Sequence, residues 1–121
     1  MNDNRNPVKP EAFAQEDFID RLMGIEDLAK EILEVFVEDM PRQLAMLSLA
    51  VKNTDAKALR LTAHSVSGAS GNVGGAEMQE LARKLERMAV SGDLSTAAAA
   101  VPELSAAFDR ARVAMECFLK S

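Results

Sequence analysis

The sequence predicts an all-α fold: an antiparallel up-down four-helix bundle with a short additional N-terminal helix. Three observations predict it. Apolar residues recur at steps of three and four through four long segments. No stretch alternates with the period of two that a half-buried strand shows. Short clusters of Gly, Asn and Asp separate the segments, which is the punctuation expected between antiparallel neighbours. With 121 residues, 48% of them apolar, the chain suffices for one good core but not for two.

Each element has its own signals. Residues 1–10, with Asn2, Asn4, Asn6, Pro7 and Pro10, read as a flexible polar arm, and residues 11–121 as the bundle domain. Phe13, Phe18, Ile19 and Leu22 suggest a short amphipathic helix that stops at Gly24 and lies as a lid on one end of the bundle. The second segment carries Ile25, Leu28, Ile32, Phe36, Met40, Leu44, Leu47 and Val51 on one face, with Pro41 expected to kink it. After a turn at Asn53 and Thr54, the third presents Leu59, Ala63, Val66, Ser70 and Val73. Gly74 and Gly75 break the chain, and Gly75 can serve as the N-cap of a fourth helix that buries Met78, Leu81, Leu85 and Met88. The last helix starts near Asp93 or Ser95. Its stripe is Ala97, Val101, Leu104, Phe108, Ala111, Met115 and Phe118, with Pro102 expected to bend it and Cys117 expected in or beside the core.

Composition narrows the function classes. Fourteen basic against 19 acidic residues give a net charge of -5, which argues against a general nucleic-acid binder. A single cysteine allows no internal disulfide, and a reducing cytoplasmic setting is the expectation. No apolar run approaches the roughly 20 residues that span a bilayer, and the first residues show no signal-peptide core, so no membrane partner is expected. No G-x-x-x-x-G-K-[ST] loop is present to bind ATP.

The chain holds one histidine, His64. On a helical wheel that sets Leu59 at zero, the core residues of the third segment fall within about 40°, while His64 lies at about 140°. Lys57 lies at about 160°, Gly68 at about 180°, Gly71 at about 120° and Leu61 at about 200° on that wheel. The imidazole is therefore expected to point outward, with bare backbone one and two turns further on. Taken alone, the glycines also allow a helix that ends early in a loop. The apolar spacing favours the helix, because it continues without a change of phase from Val66 through Ser70 to Val73. A glycine inside a helix costs roughly 1 kcal/mol relative to alanine, so two on one solvent face call for a reason. A ledge that admits another protein's backbone beside the imidazole is one.

The lone histidine and distant Cys117 match no zinc spacing, and neither copy of a Glu-x-x-His di-iron motif exists. Nothing marks a Ser or Cys nucleophile for a hydrolytic triad. Nucleophilic catalysis by neutral imidazole remains, and phosphoryl groups are plausible cargo because their transfer depends mainly on positioning and charge neutralisation.

The run Ala63-His64-Ser65-Val66-Ser67-Gly68-Ala69-Ser70-Gly71-Asn72-Val73-Gly74 resembles the phospho-accepting helix of histidine-containing phosphotransfer (HPt) domains of two-component phosphorelays. The family pattern is roughly A-H-x-L-K-G-x-x-x-x-x-G. Leu81-Ala82-Arg83-Lys84-Leu85-Glu86 is similar to its next helix, and Phe36-Val37-Glu38-Asp39-Met40-Pro41-Arg42-Gln43-Leu44 to its second. The likeness extends from about residue 15 to residue 119. It implies a phosphocarrier rather than an enzyme, in which His64 takes a phosphoryl group on Nε2 from a receiver-domain phospho-aspartate and passes it to another receiver. The implied partners are response-regulator receiver domains, a hybrid histidine kinase, or both. No cofactor is implied in this chain, because Mg²⁺ is supplied by the receiver. Gly68 leaves room for docking, with Leu61, Gly71 and Ser67 around it. The polar residue found 22 positions after the family's histidine is Glu86 here, implied to hold the other ring nitrogen.

One position departs from the family. Ser67 stands where members usually carry a lysine, so slower transfer or a less stabilised phosphohistidine is expected. Lys57, Arg60 and Lys84 are the candidates to supply the missing charge. The same departure supports an alternative, a degenerate bundle that docks on a receiver or kinase without carrying phosphate.

Overall fold

The structure, a computed structural model, describes residues 10–121. Apart from Pro10, the polar arm expected over residues 1–10 lies outside the described residues. Five helices follow in order: α1 (Gln15–Arg21), α2 (Glu26–Lys52), α3 (Ala56–Asn72), α4 (Ala76–Ser91) and α5 (Leu94–Leu119). Among the described residues there is no strand. The four long helices pack in a ring, α2 on α3, α3 on α4, α4 on α5 and α5 back on α2, as short connections between antiparallel neighbours require.

The helix ends use local chemistry. Asp55 caps α3 by accepting the Ala58 N–H at 3.0 Å, and Asp93 caps α5 by accepting the Thr96 N–H at 3.2 Å. Gly75 is the N-cap of α4, as its place after the break suggested. At Gly74 the turn between α3 and α4 takes φ +76°, and a Cβ there would lie 2.9 Å from the Ala14 carbonyl oxygen. Only glycine fits both conditions. That closeness ties down the N-terminal lid, since the Ala14 N–H donates to the Gly74 carbonyl at 2.8 Å and the Glu77 N–H to that of Glu11 at 2.9 Å. The Phe13 ring sits 6.0 Å from Phe18 and 6.4 Å from Phe118, closing the end of the bundle where α3 turns into α4 and α5 finishes.

Every residue of the expected α3 and α5 stripes is buried. The early part of α2 departs from expectation. Ile25 and Leu28 are exposed at 48% and 38%, and Ile32 is only partly covered, while Ala29 and Leu33 are fully buried. The larger side chains mark a neighbouring stripe there, and the core takes the small alanine. From Phe36 through Met40, Leu44 and Leu47 the expected face is buried, and Val51 packs at its edge. In α4 the fully covered residues are Met78, Ala82, Leu85 and Ala89, with Leu81 and Met88 packed around them. Full burial of each leucine in this core contributes about 1.5–3 kcal/mol.

Both helix-interior prolines are exposed and lie inside unbroken helices. Their outward position leaves the carbonyl that loses its N–H partner on the solvent side, where water can serve instead. Cys117 is exposed, contrary to expectation. Phe118 holds the core position, and the preceding residue is turned about 100° away from it.

Candidate functional site

The α3 helix runs through both Gly68 and Gly71 to Asn72, so the early loop does not form. His64 lies at mid-helix with its side chain 74% exposed. Across the seam between α3 and α4, its Nδ1 lies 3.0 Å from Oε2 of Glu86, whose side chain is 27% exposed. An ionised carboxylate only accepts, so Nδ1 carries the hydrogen and donates it. In the neutral ring this leaves the lone pair on Nε2, in a side chain that is mostly exposed.

The two glycines, alike in sequence, differ in what surrounds them. A Cβ on Gly68 would meet nothing within 4 Å among the described residues, which leaves the space one turn beyond the imidazole open to a visitor. At Gly71 that space is filled from within, because the Gln79 carboxamide of α4 lies where a Cβ would go. The Gly71 carbonyl also accepts from the Arg21 guanidinium of α1, at 3.2 Å and 3.3 Å. Gly71 thus serves the joint between α1, α3 and α4, and only Gly68 forms the bare ledge.

The remaining site candidates divide in the same way. Leu61, 50% exposed one turn before His64, fits an apolar contact, and Lys57 is exposed one turn earlier. Leu61 also lines a shallow groove between α2 and α3 with Arg42, Gln43, Met46, Thr62 and Ser65, which gives it an exposed apolar neighbour in Met46. At the rim of that groove, hydrogen bonds from Gln43 and then Arg42 hold the Asp39 carboxyl below its ordinary range.

Two candidates fall away from the open face. Ser67 is only 7% exposed, because at about 80° on the α3 wheel its short side chain ends inside the seam with α4. Lys84 is exposed, and by phase it lies on the flank of α4 away from α3. It shares a stripe with Glu77, one heptad before it, and Glu77 pairs with Arg110 of α5 at 2.7 Å. The stripe facing α3 is instead Gln79, Arg83 and Glu86, spaced by four and three. Gln79, Arg21 and Met46 were not among the expected site residues, although the spacing of Gln79 from Glu86 would have placed the two together.

The family model for the Hpt domain matches residues 31–114, most of the chain. The chain belongs to the Hpt domain family. Among solved structures, this Hpt domain is similar to the crystal structure of histidine-containing phosphotransfer protein B (HptB) from Pseudomonas aeruginosa PAO1. The TM-score is 0.84 and the identity 28%, over 90% of this chain and 95% of that one. No curated protein sequence matches it. Hpt domains are phosphocarrier modules of two-component signalling that interact with receiver domains and histidine kinases, which makes this chain a phosphotransfer protein of that system. Among the described residues of this Hpt domain, no group of three or more His, Cys, Asp or Glu converges to hold a metal. No described helix is long and apolar enough to cross a membrane.

Proposed function

We propose that this Hpt domain is a phosphorelay intermediate in which His64 takes a phosphoryl group on Nε2 from a receiver's phospho-aspartate and hands it to the aspartate of another. One observation carries the reading: an exposed imidazole whose Nδ1 is tied to Glu86 at 3.0 Å, beside the open backbone of Gly68. The tie fixes the tautomer that leaves Nε2 nucleophilic, and the carboxylate offsets the charge the ring takes on when that nitrogen bonds to phosphorus. The open ledge lets an acyl phosphate held in another protein come within bonding distance, so that transfer runs mainly on positioning. The Mg²⁺ and the acidic pocket around the aspartate come with the receiver.

Mixing the protein with a phosphorylated, Mg²⁺-loaded receiver tests the reading. The expected result is acid-labile, base-stable label on the wild type and none on His64→Gln. Label on both proteins would refute the assignment of His64. Binding to the receiver that persists in His64→Ala, with no label on the wild type, would favour the docking-only bundle, for which the buried Ser67 in place of a lysine is the supporting feature.

A further inference from the structure

The geometry points to Arg83 as the cation that binds the phosphoryl group in this protein, reaching from α4 over the seam to replace the charge that Ser67 does not provide. The inference rests on the reading of His64 as phospho-acceptor. It begins with the register between α3 and α4. His64 meets Glu86 at 3.0 Å, and Gly71 meets the Gln79 side chain. Seven residues separate the two contacts on each helix, so the antiparallel pair is in step between them. Ser67, three residues after His64, therefore faces Arg83, three residues before Glu86.

Three further observations favour Arg83 over the other cations. It belongs to the stripe of Gln79 and Glu86, which faces α3, whereas Lys84 belongs to the stripe that faces α5. Along the axis it stands about 4.5 Å from Glu86, towards the open ledge at Gly68. Lys57 and Arg60 lie on the opposite side of His64, and Lys57 is about 10.5 Å from it along α3. Arg83 is also exposed, and among the described residues it forms no ion pair, unlike Arg42, Arg110 and Arg112. The small side chain opposite it leaves the guanidinium a path across the seam, where a long one would compete for the same space.

In the transfer step the Nε2 lone pair attacks phosphorus, and the bond between phosphorus and the aspartate oxygen breaks. The carboxylate departs with the electron pair. The Nδ1 hydrogen stays in place, donated to Glu86, and no other proton moves. The planar guanidinium presents paired N–H donors to the phosphoryl oxygens throughout, a geometry that suits phosphate better than a single ammonium does.

The test compares wild type, Arg83→Gln, Arg83→Lys, Arg60→Gln and the double variant Ser67→Lys/Arg83→Gln. Two readouts are taken: the rate of transfer from a phosphorylated receiver, and the rate of labelling by phosphoramidate, a small donor that needs no docking. Arg83→Gln is expected to slow both by about tenfold, the effect of losing one charge-assisted contact. Arg83→Lys should retain most of each rate and Arg60→Gln nearly all. The double variant should recover towards wild type, because it restores a cation at the seam from the other helix. Equal rates for Arg83→Gln and wild type would overturn the inference, as would a loss confined to the receiver reaction, which would make Arg83 a docking residue. Absence of label on the wild type would instead overturn the reading of His64. Circular dichroism confirms that each variant remains helical. Should the double variant unfold, the single substitutions and the phosphoramidate rates still decide the matter.

Discussion

Gly68 is expected to respond to substitution in opposite directions for stability and for function. Its backbone is helical with no positive φ, and a Cβ there would meet nothing within 4 Å among the described residues. Gly68→Ala therefore introduces neither strain nor a clash, and the remaining effect is the helix preference of alanine over glycine, about 1 kcal/mol in favour of the folded state. For a domain of this size that corresponds to a rise in Tm of about 4 °C. Gly71→Ala lacks this gain, because the added methyl meets the Gln79 carboxamide. Function should move the other way as the side chain grows. Gly68→Leu fills the ledge beside His64 and is expected to slow transfer from a phosphorylated receiver by at least about tenfold, while labelling by phosphoramidate stays near the wild-type rate. Thermal unfolding together with the two labelling rates gives the whole comparison. A destabilised Gly68→Ala protein would refute the structural reasoning, and a Gly68→Leu protein with wild-type transfer would refute the open ledge as the docking point.

Other residues give independent checks. Leu33→Ala should cost about 3 kcal/mol in urea unfolding, whereas Val35→Ala, at a position 68% exposed, should stay within about 0.5 kcal/mol; similar costs would mean that the burial phase of α2 is wrong. Ser70→Ala is expected to stabilise the fold by roughly 1 kcal/mol, because the buried Ser70 Oγ has no hydrogen-bond partner among the described residues, and a clear loss of stability would point to a partner for that hydroxyl. Acid should weaken the fold through Asp39 and Asp93. Hydrogen bonds from Gln43 and Arg42 to Asp39, and from Thr96 to Asp93, hold both carboxyls below their ordinary 3.8. A depressed folded value means stabilisation that is complete above the unfolded value and lost as pH falls through the folded one, so the loss belongs below about pH 4. Asp39→Asn/Asp93→Asn should flatten the stability profile there, and an unchanged slope would assign the acid sensitivity to other groups.

The course of the chain and the exposure of His64 were legible in the sequence because large apolar residues mark the core of α3 and α5 without competition. Early α2 was misread for the opposite reason. Ile25, Leu28 and Ile32 outweigh Ala29 in any apolar count, yet alanine is the residue that fits where helices approach closely. The bond between His64 and Glu86 was reachable through the family's spacing and not from periodicity, since the pairing of residues across two helices depends on how the turn at Gly74 closes. For that reason the separate fates of Gly68 and Gly71, the occupation of the latter by Gln79, and the pairing with α5 of Glu77, one heptad before Lys84, all needed the structure. Cys117 was misplaced by a single residue of phase beside Phe118.

The claim that Glu86 fixes the imidazole so that Nε2 accepts phosphorus can be tested directly, because this Hpt domain has one histidine and its imidazole nitrogen spectrum reports His64 alone. In ¹⁵N-labelled protein, the ring that carries a single hydrogen is expected to hold it on Nδ1. After phosphorylation, phosphorus coupling to Nε2 is expected, with Nδ1 still protonated. A single hydrogen on Nε2 in the free protein, or phosphorus bound to Nδ1, would contradict the claim.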